Sequence, residues 1–179
     1  KVLRKAIGVA GERRFWRSAP YEPGTYPDRP WGYDECARRY LNTLFDHPNT
    51  RHFRETGAPD GVTDLLNIYP SKMNSALIRG LLRLAGLDRR RRDAAIATAK
   101  RVGEYMLSIS QPASAPLAHF PPTYWPMKGQ KTNMASIEYA GQVMLVYPAQ
   151  VGQAYLALHA ATGESRWLEA ATGIAKTYE

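Results

Sequence analysis

Residues Tyr147-Pro148-Ala149-Gln150-Val151-Gly152-Gln153-Ala154-Tyr155-Leu156-Ala157-Leu158 decide how this chain is read. Val151, Tyr155, Leu158 and Ala161 lie four and three apart, so they line up on one side of a helix, the spacing of a helix buried along one face. Thr162-Gly163-Glu164 then supplies a turn, and Trp167, Ala171, Ile174 and Tyr178 form the stripe of a second helix. Two amphipathic helices with so short a link predict an antiparallel hairpin.

The same plan is written upstream. Leu77, Ile78, Leu81, Leu82, Leu84 and Ala85 recur at helical spacing, with Gly86 as the expected stop and Asp88 as a cap. Ala95, Ala99, Val102, Met106 and Ile109 form the next stripe, so 71–109 is predicted to be a helical hairpin. Its approach, Ile68-Tyr69-Pro70-Ser71, resembles Val146-Tyr147-Pro148-Ala149, and Leu81-Leu82-Arg83-Leu84 resembles Tyr155-Leu156-Ala157-Leu158. The two offsets differ by one helical turn, which shortens the second copy without rotating its buried face. A proline in the first turn of each helix removes an N–H that would have had no intrahelical partner. Ala37, Tyr40, Leu41, Leu44 and Phe45 predict a further helix from about Tyr33-Asp34 to just before Pro48. Met134, Ile137, Tyr139, Ala140 and Val143 suit a helix better than a strand. The fold class is therefore all-α, and 1–179 is read as a single domain cut from a longer protein, because both ends fall in helical sequence.

Composition narrows the function classes. The 179 residues are 44% hydrophobic and 22% charged, ordinary for a folded domain. The formal charge is +8, and all of it lies in residues 1–92, which hold 18 Lys/Arg against 10 Asp/Glu. The densest basic run, Arg89 to Arg92, falls where a turn between helices is expected, so it reads as a solvated turn rather than a nucleic-acid face. One cysteine, Cys36, excludes an intrachain disulfide. His47, His52, His119 and His159 lack the spacing of a zinc pair, and no cofactor motif is present. No apolar run approaches the ~20 residues of a membrane span. The chain opens without Met, so the compartment is left open; secretion or a periplasmic site would need a leader upstream of Lys1.

The helical pairs, above all residues 147–158 followed by Thr162-Gly163-Glu164 and Trp167-Leu168-Glu169-Ala170-Ala171, resemble the six-hairpin (α/α) toroids of carbohydrate-active enzymes. That superfamily includes glycoside hydrolases, polysaccharide lyases and sugar epimerases. The resemblance covers 65–109 and 146–179, and this chain would form only part of such a ring. It implies inner helices beginning near Pro70 and Pro148, with their N-terminal ends on a substrate cleft, and an oligo- or polysaccharide as partner.

Two chemistries follow. Glycoside hydrolysis needs one protonated and one ionised carboxyl group across the bond. The candidates are Asp60 and Asp64, in the turn-rich approach to the first Tyr-Pro helix, and Glu138, before the second. Elimination on a uronate needs instead a base for the proton next to the carboxylate, and groups that stabilise the developing charge. The proline-stiffened stretch from Phe120 to Asn133 holds those types: Tyr124 and His119 beside it as bases, Trp125 to stack on a sugar, and Lys128, Lys131 and Asn133 as ligands. Tyr69 and Tyr147 recur at matching helix starts and are read as lining the cleft. A glycoside hydrolase is the first expectation, a polysaccharide lyase the second, and a non-catalytic helical-repeat binding module the third. The basic first half favours an acidic glycan.

Overall fold

A computed structural model of the chain describes residues 32–61, 65–124 and 142–179. Among these residues 72% are helical and none is in a strand. Seven helices follow in order: α1 (Tyr33–Asp46), α2 (Pro48–Thr56), α3 (Leu65–Ile68), α4 (Pro70–Leu87), α5 (Arg92–Ser108), α6 (Val146–Thr162) and α7 (Ser165–Thr177). No described helix is long and apolar enough to cross a membrane.

Most of each stripe read from the sequence is buried, whereas Tyr40, Ala161 and Tyr178, placed on the stripes of α1, α6 and α7, are exposed. In α4, Leu77, Ile78, Leu81 and Leu84 are sealed from solvent, and in α5 Ala95, Ala99, Val102 and Met106 are fully buried. These two helices pack on each other, α6 packs on α7, and α4 packs directly on α6. A close approach is made by Gly103 of α5. A Cβ at that position would stand 2.9 Å from Cη2 and Cζ3 of Trp167 and 2.8 Å from Cδ1 of Leu158, so only glycine lets α5 settle against the α6–α7 pair without displacement. Trp167 is itself held flat against Tyr155, with ring centroids 5.9 Å apart, and the Arg166 guanidinium lies 4.3 Å from the indole centroid.

The turns differ in part from expectation. Gly163 ends α6 in the left-handed conformation, φ 73°, where an L side chain would be strained. Gly86, by contrast, does not stop α4: the helix runs on to Leu87 and ends when Asp88 turns extended, its N–H donating to the Leu84 carbonyl. The Asp88 carboxylate then accepts the Arg90 N–H at 3.0 Å, making the link a side-chain-stabilised turn rather than a glycine cap. Within the basic run, Arg89 and Arg90 are exposed as expected. Arg91 is not simply solvated: it pairs with Asp46 of α1 at 2.7 Å and lies 5.0 Å from the Phe45 ring centroid. This holds the end of α1 against the α4–α5 turn, and the Arg91 guanidinium in turn keeps the Asp46 carboxyl below its ordinary range.

Two segments depart from the sequence reading more plainly. Residues 142–145 are not helical, although the spacing of Met134, Ile137, Tyr139, Ala140 and Val143 favours a helix; Met134 to Ala140 lie outside the described residues. The physical reason is a tertiary bond, since the Met144 N–H donates to the Thr123 hydroxyl at 2.9 Å instead of to a helical carbonyl. In the other direction, α2 is a helix that the apolar pattern does not announce, because only Thr50 and Phe53 of its nine residues are buried. Its ends carry the signals: His47 Nδ1 accepts the Asn49 N–H, Pro48 occupies the first turn, and Gly57 closes it at φ 80°.

Candidate functional site

The starts of α4 and α6 lie at the same end of the packed pair, and one short segment joins them. Ser71, in the first turn of α4, donates its hydroxyl towards the Pro122 carbonyl at 2.6 Å and the Pro121 carbonyl at 3.1 Å. Thr123, immediately after, accepts the Met144 N–H just ahead of α6. Pro121 to Thr123 can span at most about 10 Å, so the two helices must begin close together and run in the same direction. Ser71, Pro121, Pro122 and Thr123 are all buried, which fixes the segment as part of the interior rather than as a loose loop.

Aromatic rings gather on this platform. Tyr69 and Tyr124 meet edge to face with centroids 5.6 Å apart, both half-buried. The Tyr124 hydroxyl points to Met144 Sδ at 3.3 Å. Tyr147, in the first turn of α6, is half-buried at the same helix start. On the α7 side, the Tyr178 hydroxyl donates to the Leu145 carbonyl, and its ring lies 4.8 Å from that of buried Phe120. Burial raises the Tyr178 pKa against the opposing pull of the Ala149 backbone.

Beneath the rings the first half of α4 buries polar side chains. Asn74 Nδ2 donates to the Leu66 carbonyl at 2.8 Å, and Asn67 Nδ2 to the Gly61 carbonyl at 3.1 Å. The Tyr105 hydroxyl of α5 donates to Asn67 Oδ1 at 3.3 Å. Asn74 is fully buried, and its Oδ1 has no hydrogen-bond partner among the described residues.

The candidates from the sequence divide three ways. Tyr69 and Tyr124 are brought into contact, with Tyr147 at the neighbouring helix start. Asp60 is exposed in the Pro59–Gly61 turn, where the Gly61 N–H donates to the Pro59 carbonyl at 3.0 Å. His119 is placed elsewhere: its ring packs on Gly173 of α7, with a Cβ there 3.0 Å from its Cγ, and its backbone sits at φ 64°. Asp64, Trp125, Lys128, Lys131, Asn133 and Glu138 lie outside the described residues.

The sequence reading missed Ser71, Thr123 and Met144 as the residues that assemble this end. Only Ser71 carried a signal, its place directly after Tyr69-Pro70; the other two act through partners about 20 residues away along the chain. No group of three or more His, Cys, Asp or Glu suited to a metal ion occurs among the described residues. No family model, curated protein or solved structure matches this chain.

Proposed function

We propose that this chain belongs to a carbohydrate-active enzyme, a glycoside hydrolase, that holds its glycan where α4 and α6 begin. The observation that carries the reading is the parallel pairing of these helices, with Tyr69 and Tyr124 in edge contact over their joined starts. The resemblance to (α/α) toroids asks for this arrangement, with inner helices side by side opening at one end onto substrate. Tyrosine rings at such a mouth present apolar faces to the C–H side of a sugar and hydroxyls to its edge.

In this reading the acid and the base of hydrolysis come from Asp60, Asp64 and Glu138, while Tyr69, Tyr124 and Tyr147 position the sugar, joined by Trp125, Lys128, Lys131 and Asn133. One protonated carboxyl group would release the leaving oxygen, and one carboxylate would activate water or attack the anomeric carbon.

The test is a product assay on the full-length protein with neutral and uronate-containing oligosaccharides, following reducing ends and the ultraviolet absorbance of an unsaturated uronate together. Reducing ends without absorbance are expected, with activity lost when Asp64 or Glu138 is neutralised. Both signals rising together would replace hydrolysis by elimination and move the base to Tyr124. Binding of glycan with neither signal would make the chain a binding scaffold.

A further inference from the structure

Between α1, α2, α3 and α4 lies a cavity of about 560 Å³ that the glycan reading does not use. Leu41 and Leu44 of α1, Leu65 and Leu66 of α3, and Met73 and Leu77 of α4 form its apolar wall. Arg79 and Arg83 of α4 and His47 ahead of α2 also line it, and no carboxylate does among the described residues. The Arg79 Nε donates to the Ser75 carbonyl at 3.3 Å. Neither arginine has a carboxylate partner among the described residues.

The lining is ordered along α4. Met73, Ala76 and Leu77 come first, Arg79 and Arg83 last, and at 1.5 Å per residue Met73 to Arg83 spans about 15 Å. Gly80 lies against α1 between Arg79 and Arg83, where a Cβ would stand 2.8 Å from Leu44 Cδ2 and 3.7 Å from Leu41 Cδ2. The cavity is thus a slot with an apolar wall along its length and both guanidinium groups towards the later part of α4. Around it Tyr40 is 70% exposed and Leu65 48% exposed, a sizeable apolar surface for two neighbouring positions.

We infer that this slot binds a linear aliphatic carboxylate, the alkyl chain against the leucines and Met73 and the carboxylate on Arg79 and Arg83. Guanidinium groups one helical turn apart suit a carboxylate because each offers paired N–H donors in a fixed plane. The two lining guanidinium groups disfavour a cationic amphiphile of the same length. A fully polar ligand would leave six apolar side chains uncovered.

Titration calorimetry of the full-length protein with dodecanoate, below its micelle-forming concentration, tests this. Saturable binding is expected, and decanoate should bind about tenfold more weakly because it buries two fewer methylenes. Dodecyltrimethylammonium should bind at least about tenfold more weakly than dodecanoate. The R79Q/R83Q double variant should erase that preference. Ala76→Trp, at an exposed lining position, should block dodecanoate while helicity by circular dichroism is kept. No saturable binding, equal binding of the cationic probe, or dodecanoate binding undiminished in a folded A76W protein would each overturn the assignment. If A76W loses its helicity, the R79Q/R83Q comparison decides, since both arginines reach solvent and their replacement leaves the apolar wall intact.

Discussion

Gly103 and Trp167 should be energetically coupled, and the sign of the coupling follows from the geometry. Replacing Gly103 by Ala gains helix propensity of about 1 kcal/mol, because glycine is the costlier residue in a helix interior. Against this, the new Cβ would meet Leu158 Cδ1 at 2.8 Å and two indole atoms at 2.9 Å. Carbon atoms prefer about 3.5–4.0 Å, so each contact is short by roughly 0.6–1.2 Å. The Leu158 methyl can turn away. The indole is far less free to move, fully buried and held by the Tyr155 ring and the Arg166 guanidinium. Overpacking of this kind costs about 1–3 kcal/mol, so G103A should be destabilising by up to about 2 kcal/mol after the propensity gain is subtracted. In a Trp167→Phe background the outer ring atoms are gone, and the same substitution should be neutral or stabilising. W167F also removes an indole N–H that is buried without an acceptor among the described residues, which lessens its own cost. Urea unfolding of the four proteins measures the cycle, with an expected coupling of about 1–2 kcal/mol in favour of the double variant. Additivity within about 0.5 kcal/mol would refute the close approach as the reason for glycine at 103.

Other outcomes can be checked separately. Ser71→Ala should strand the Pro121 and Pro122 carbonyls, cost about 1–3 kcal/mol, and raise amide exchange at Thr123 and Tyr124 before it does so in the α4–α5 core. Gly163→Ala should cost about 1 kcal/mol in chemical denaturation, since φ 73° is strained for any residue with a Cβ. Lys100, and after it Arg166, hold the Glu164 carboxyl below its ordinary value of 4.5. Because that depression exists only in the folded chain, it aids folding above about pH 4.5 and the aid disappears as pH falls through the folded value. The pairs are partly exposed, so the effect is small: thermal melts should place E164Q slightly below the parent at neutral pH, with the difference closing as pH falls below about 4.5 and a flatter acid limb for the variant.

How much could be read in advance depended on whether a residue's partner was near in sequence. The α4–α5 and α6–α7 segments were legible because Leu77, Leu81 and Leu84, or Val151, Tyr155 and Leu158, repeat every three or four residues whatever they pack against. The α2 helix was not, since a helix burying only Thr50 and Phe53 has too little apolar rhythm to be seen, and its His47-Pro48 start and Gly57 end were the usable signs. Residues 142–145 were misread for the opposite reason: an apolar run continues there, but Thr123 takes the N–H that a helix would need. Within the site, the Tyr69-Pro70 and Tyr147-Pro148 helix starts stood out as recurrences, whereas Ser71 found its partners 50 residues on. Likewise the Arg89–Arg92 run gave no hint that Arg91 alone would bind Asp46, a choice made by how α1 lies.

The shared direction of α4 and α6 has an electrostatic consequence. Each helix carries the equivalent of roughly half a positive charge at its first turn, and two such poles pointing the same way repel each other. Partial negative charge near these poles eases that repulsion, and the oxygen ends of the Pro121 and Pro122 peptide dipoles face the Ser71 hydroxyl at the opening of α4. The Pro121 and Pro122 carbonyls thus act as a built-in counter-dipole at the opening of α4, easing its repulsion by the start of α6.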